Sequence, residues 1–172
     1  MRTQRLILRD WHDSDLEPFA QLNGDPIVME LFPSTLSRSQ SDVFAQKIRL
    51  ELSKKPYGLW AVEIPNVAPF IGFVGLHAVS FDAFFTPAIE IGWRLDKTYW
   101  GKGYAFEAAS AVLDYAFETL KLDEVVSFTA KQNQRSINLM QRLGLEYVQD
   151  FENPSLPEGH PLRPHVLFQK KA

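Results

Sequence analysis

Apolar and polar positions alternate along the chain with two different periods, and the switches between them divide it into elements. Residues 5–11, with Leu6, Ile7 and Leu8 at their centre, read as a strand. Residues 13–17 look like a helix start, because Ser14 and Glu17 stand at capping-box spacing and Leu16, Phe19, Ala20 and Leu22 supply an apolar face. Ser37 and Gln40 repeat the capping pattern. Phe44, Ile48 and Leu52 follow at every fourth residue, which predicts a helix to about residue 55. Three strand-like runs come next, over 59–64, 70–79 and 88–95, separated by Pro65-Asn66 and by Asp82 and Pro87. Short links of this kind predict an antiparallel meander.

After Gly103 the period lengthens. Tyr104, Ala108, Ala111, Val112 and Tyr115 recur at helical spacing, and five alanines between 105 and 116 favour a helix. Residues 125–130 form the next strand. Strand, glycine turn, helix and strand make a βαβ unit, so its two strands should be parallel. A short helix over 135–143 ends at Gly144, which suits the left-handed cap position. Segments 146–151 and 165–169 read as final strands around a proline-rich loop, 153–164. With no internal repeat or linker, the expectation is one α/β domain over residues 1–172.

Composition narrows the function more than the fold. The chain is 45% hydrophobic and 13% aromatic, a profile that buries a core. Eighteen basic residues against 21 acidic ones leave a net charge of −3, which argues against a nucleic-acid partner. There is no cysteine, so disulfides, zinc thiolate sites and a cysteine nucleophile are excluded. His160 and His165 are separated by two prolines and do not form a helical metal-binding pair, so no metal is expected. His12 and His77 look incidental. The apolar run at Leu6-Ile7-Leu8 is too short for a signal peptide or a membrane span, and the expectation is a cytoplasmic protein with no membrane partner.

The chemistry concentrates at Gly101-Lys102-Gly103, between a strand and a helix. Two glycines permit a tight turn and leave no Cβ in the way of a ligand. The unpaired N–H groups of the first helical turn and the helix dipole add positive potential, and Lys102 adds a charge. Such a turn is either a plain helix start or a pyrophosphate cradle. It is neither a Walker sequence nor a dinucleotide fingerprint, because no Gly-Lys-Ser/Thr follows and the third glycine is absent.

The segment Trp100-Gly101-Lys102-Gly103-Tyr104-Ala105 resembles the pyrophosphate loop of the GNAT superfamily of N-acetyltransferases, Gln/Arg-x-x-Gly-x-Gly/Ala, with Trp100 in place of the leading polar residue. Thr3-Gln4-Arg5-Leu6-Ile7-Leu8-Arg9 is similar to the first strand of the branch that contains the ribosomal-protein alanine acetyltransferases. Glu90-Ile91-Gly92-Trp93 is similar to its fourth, and Asn133-x-x-Ser136 with Leu143-Gly144-Leu145 to its second CoA motif. The resemblance covers nearly the whole chain. It implies a mostly antiparallel mixed sheet flanked by helices, whose central parallel strands splay to admit acetyl-CoA. Backbone groups of Trp93 and Leu95 would then pair with the pantetheine arm. The amides of Gly101, Lys102, Gly103, Tyr104 and Ala105 would hold the pyrophosphate, with Asn133 opposite.

Two further roles follow from the resemblance. Glu90, a carboxylate between Ile89 and Ile91, is the candidate general base, because an ammonium must lose a proton before it can attack a thioester. Many family members protonate the departing thiolate with a tyrosine seven positions after the asparagine. Met140 stands there and cannot; the alanine-acetyltransferase branch instead offers a serine three positions after the asparagine, where Ser136 sits, so the resemblance implies Ser136 as candidate donor. Each residue also has a plain reading: a salt-bridged strand carboxylate for Glu90, a first-turn serine for Ser136, a helix cap for Asn133. Trp11, Phe32, Phe84 and Phe85 read equally as acceptor-pocket lining or core, and residues 81–85 as packing or as a homodimer surface. The expected reaction is acetyl transfer to an amine acceptor, either a protein N-terminus or a small molecule. A non-catalytic acyl-CoA-binding module and an unrelated nucleotide binder are the alternatives.

Overall fold

The structure, a computed structural model, describes residues 1–172. The chain lays down β1 (Ile7–Arg9), α1 (Leu16–Gly24), α2 (Arg38–Lys54), β2 (Leu59–Ile64), β3 (Ala68–Ala78) and β4 (Ile89–Leu95). It continues with α3 (Tyr104–Asp114), β5 (Glu124–Ala130), α4 (Gln134–Arg142), β6 (Glu146–Glu152) and β7 (Pro164–Lys171). Seven strands form one mixed sheet in the order β1-β2-β3-β4-β5-β7-β6, antiparallel throughout except for β4 beside β5. The crossover through α3 makes that pair parallel, as the strand–turn–helix–strand pattern predicts.

The sheet separates two cores. On one face α3 and α4 pack Ala108, Ala109, Val112 and Met140 against Val74, Ile91, Val125 and Phe168. The alanines let α3 approach the strands closely. On the other face α1 and α2 bring Phe19 and Ile48 against Phe70, Phe73 and Trp11. Phe19 is fully buried, and its ring centroid lies 4.8 Å from that of Trp11. Removing such a ring typically costs about 3–5 kcal/mol. Trp11 is therefore core, not pocket lining.

Two expectations at the N-terminus need correction. The first strand is shorter than residues 5–11, because Thr3 folds back on Leu6 (Thr3 N–H to the Leu6 carbonyl, 2.9 Å) and leaves only Ile7–Arg9 to pair with β2. Nor does Ser14 cap α1. It sits inside a 3₁₀ turn, Asp13–Asp15, whose entry is held by Asp15, which accepts the His12 N–H at 2.8 Å. Asp15 is 1% exposed and also receives both Nη groups of Arg9, at 2.7 and 3.0 Å. A carboxylate so deep needs its cation, and removing either partner of such a pair costs roughly 3–5 kcal/mol. At α2 the expected box is present: Ser37 N–H donates to Gln40 Oε1 at 2.8 Å and Gln40 N–H to Ser37 Oγ at 3.3 Å.

Candidate active site

β3 and β4 pair along all seven residues of β4, whereas the β4–β5 ladder is reduced to Glu90 opposite Val126. Past that point the central strands diverge. Strand parity decides what the opening contains. Ser127 Oγ donates to the Ile91 carbonyl at 3.0 Å, so Ile91 turns its backbone groups toward β5, and Trp93 and Leu95 do the same two and four residues on. The Leu95 carbonyl is taken by Trp100 Nε1 at 2.8 Å, which leaves its N–H. Trp100, standing where the related motif has Gln or Arg, thus closes the far end of the gap.

The glycine turn follows. Gly101 (φ 72°) and Gly103 (φ 82°) are both left-handed, a conformation that costs an L residue about 1–2 kcal/mol. A Cβ on Gly103 would point at Arg5 Nη2, 3.3 Å away, so glycine is needed there first for its backbone angle. The first bond of α3 runs from Glu107 N–H to the Gly103 carbonyl, and no side chain caps the N–H groups of the turn before it. Behind the turn, Arg5 holds the Lys102 carbonyl (3.0 Å) and Glu107 (2.6 Å), and Thr3 also donates to Glu107 (2.6 Å). Burial raises the Glu107 pKa, but these hydrogen bonds and the Arg5 charge outweigh it and hold the carboxylate below its ordinary range. The Lys102 side chain lies outside the cleft, its ammonium 5.6 Å over the Tyr99 ring, so only its backbone remains for the role expected of it.

These elements enclose a cleft of about 450 Å³ lined by Trp93, Leu95, Gly101, Gly103, Tyr104, Ala105, Asn133 and Ser136, all expected from the sequence. Arg135, Asn138, Leu139 and Arg142 also line it and were not expected. Their i, i+3, i+4, i+7 spacing on α4 is the signal that marks them as one helix face. Arg135 lies 4.3 Å over the Trp100 ring, with Nη2 3.3 Å from Glu30 Oε2, and Arg142 lies 4.8 Å over Phe106, so two cations stand on the cleft wall.

Asn133 is the N-cap of α4. Its Oδ1 accepts the Ser136 N–H at 3.2 Å and its Nδ2 donates to Thr129 Oγ1 at 2.9 Å. Ser136 Oγ accepts Trp93 Nε1 at 3.2 Å, and its own hydroxyl hydrogen has no protein acceptor. Met140 is 1% exposed.

A second cavity, of about 370 Å³, lies on the α1–α2 side. Glu90 lines it, 9% exposed, with Oε2 3.0 Å from His77 Nε2 across the β3–β4 pair. His77 is therefore not incidental. Burial opposes its charge, but the hydrogen bond and charge of Glu90 prevail, so its pKa stands above the usual imidazole value. Asn153, Ser155, Leu156 and Leu162 of the proline-rich loop close the cavity with His165, whose Nε2 accepts from Asn153 Nδ2 at 3.2 Å. Burial lowers the His165 pKa. Phe84 is 59% exposed and meets Phe85 edge to face, and Phe85 packs on Phe128 and Phe151, so neither is pocket lining, whereas Phe32 is. Leu31, Phe32, Trp93, Arg94, Asn133 and Ser136 line both cavities, which therefore share one wall.

A family model described as acetyltransferase (GNAT) domain matches residues 5–146, and the chain belongs to that family. It is an N-acetyltransferase. A relative named uncharacterized N-acetyltransferase YnaD, from Bacillus subtilis (strain 168), is 26% identical over 159 residues, 92% of this chain and 88% of the relative. Two solved structures share the fold. Ribosomal-protein-S5-alanine acetyltransferase from Vibrio fischeri superposes with a TM-score of 0.78 at 18% identity, over 99% of this chain and 95% of that one. Spermidine N-acetyltransferase from Vibrio cholerae, in complex with CoA and spermine, gives 0.75 at 19% identity, over 97% and 95%. Neighbours with such different acceptors show the architecture and leave the ribosomal-protein branch without specific support. No helix is long and apolar enough to cross a membrane.

Proposed function

We propose that the chain moves an acetyl group from acetyl-CoA to a primary amine by direct attack, with Glu90 as general base and Ser136 as donor to the departing thiolate. One observation carries this reading. The cleft behind the glycine turn and the cavity that holds Glu90 share a wall, and the free hydroxyl of Ser136 lies in it.

The residues present suit the cofactor. Uncapped N–H groups at the start of α3, two left-handed glycines, an unpaired strand edge at Trp93 and the α4 arginines offer what a pyrophosphate and an amide-bearing arm require. Acetyl-CoA supplies the acetyl group as a thioester. The chain's own groups do the rest. Trp93 backbone groups and the Leu95 N–H orient the arm. Glu90 keeps one oxygen on His77 and uses the other, which has no protein hydrogen bond, to take the amine's proton directly or through water. Ser136, already oriented by Trp93 and by its place beside the Asn133 cap, donates its hydrogen as negative charge develops on sulfur. This hydroxyl supplies what Met140 cannot, which argues against the non-catalytic reading.

Thiol release from acetyl-CoA with a panel of N-terminal peptides, amino acids, polyamines and amine drugs tests the function. Release that depends on an amine, with acetyl recovered on nitrogen, is expected. Acetyl-CoA binding without turnover across the panel would leave a binding module.

A further inference from the structure

The wall between the two cavities holds a cation without an anion. Arg94 lies on the same face of β4 as Glu90 and Gly92 and lines both cavities. It enters no ion pair. Nη1 donates to Asn23 Oδ1 at 2.5 Å, and Nε, sealed from solvent, has no hydrogen-bond partner. Asn23 is neutral and fully buried, fixed in turn by its bond to Ser41 Oγ at 2.8 Å. Three rings complete the surroundings: Phe32, Phe73 and Phe44, with centroids 4.2, 5.4 and 5.8 Å from the guanidinium carbon. Ring faces attract a cation but leave its in-plane donors unused. Burial brings the Arg94 pKa down to about 10, and no carboxylate offsets it.

The same protein pairs its other partly buried arginines, Arg9 with Asp15 and Glu63 at 2.7 Å each and Arg163 with Glu152 at 3.3 Å. A partly buried guanidinium beside a cavity, with donors to spare and no carboxylate, is matched to an anion that arrives from outside. Its planar fork favours a carboxylate, which it can hold with two parallel bonds. The floor between Arg94 and Glu90 is clear, since a Cβ on Gly92 would meet only His77 Nε2, at 3.8 Å. The Cα atoms of residues 90 and 94 are about 13 Å apart along an extended strand.

We propose that Arg94 is a specificity-determining residue that binds a carboxylate of the acceptor. The acceptor is then a compound with both an amine and a carboxylate, its amine toward Glu90 and its acid on Arg94, and polyamines are disfavoured by the buried cation. This rests on the transferase reading above and names its substrate class.

The test uses glycine, β-alanine, 4-aminobutyrate and 6-aminohexanoate, each beside its carboxamide, and spermidine. Thiol release is measured for the native protein, Arg94→Gln and Arg94→Lys, with thermal midpoints to verify folding. For at least one chain length the native protein should prefer the acid over its amide at least tenfold in kcat/KM, mainly through KM. Arg94→Gln should erase that preference with the KM for acetyl-CoA unchanged, and Arg94→Lys should restore part of it. Equal use of acids and amides by the native protein, preference for spermidine, or an equal loss for acid and amide in Arg94→Gln would overturn the proposal. Calorimetry with the N-acetylated acids and their amides, in the presence of CoA, reads the same site without turnover. Acid binding that depends on Arg94, without amine-dependent thiol release, would sustain the carboxylate site and refute the transferase mechanism. Absence of acid-selective binding together with absence of acid-selective turnover would refute the site.

Discussion

The cleft behind the glycine turn and the cavity under Glu90 share a wall yet are built differently. The cleft offers backbone groups that the second cavity does not: a strand edge left open where β5 diverges, left-handed glycines and the uncapped start of α3. Its chemistry comes from geometry that many side chains would tolerate. The second cavity is made of side chains from β3, β4, β5, α2 and the loop before β7, some of them paired, His77 with Glu90 and Asn153 with His165, and one, Arg94, without an anion. The difference teaches where variation is free. A backbone site accepts the same cofactor whatever stands at most of its positions, whereas a side-chain site changes its ligand with a single residue.

Substitutions should therefore separate acceptor chemistry from cofactor binding. The largest effect is expected at Glu90. Glu90→Gln should lower turnover by roughly 10²–10⁴-fold, with acetyl-CoA affinity unchanged and the loss shrinking at high pH, where the amine is already deprotonated. A pH–rate profile of both proteins checks this, and a pH-independent loss would make Glu90 a positioning group. Ser136 stands on the shared wall and comes next. Ser136→Ala should cost about 10²–10³-fold in kcat, by analogy with a lost oxyanion donor, and little in cofactor affinity. Single-turnover kinetics beside calorimetry reads both, and unchanged rates would move the donor role to water.

On the cleft side the expected sign reverses. Gly103→Ala meets a φ of 82° and so costs about 1–2 kcal/mol of backbone strain, which should tilt the turn's N–H groups and weaken CoA binding with the acceptor KM preserved. Calorimetry with CoA decides it. Identical affinities would show that the turn is only a helix start.

The smallest effect concerns His77. Its pKa is raised in the folded protein, so the His77–Glu90 pair contributes stability that is complete below the unfolded value of about 6.5 and is lost as pH rises through the folded value. Urea midpoints of the native protein and His77→Gln should differ most below that range and converge above it. A constant difference at every pH would assign His77 to packing alone.

Local chemistry made much of this legible. The Ser37–Gln40 box, the bounds of β2, the alanine-rich α3, the parallel β4–β5 pair and the glycine turn all follow from periodicity, capping and backbone freedom, which act between near neighbours in the chain. The part of the cleft lining that comes from β4 and the glycine turn was legible for the same reason, since a turn and the strand before it are contiguous, whereas the α4 face with Arg135 and Arg142 was not. What the sequence could not reveal depends on register and on distant partners. His77 meets Glu90 only because β3 and β4 pair in that register, 13 residues apart in the chain. Ser14 does not cap α1, and the carboxylate of Asp15 instead takes the His12 N–H and Arg9 of β1, a distant partner. Nothing in the chain singles out Arg94. Tertiary packing alone makes it otherwise, because α1 delivers a neutral Asn23 where an acid would have balanced it, and three phenylalanine rings surround the guanidinium.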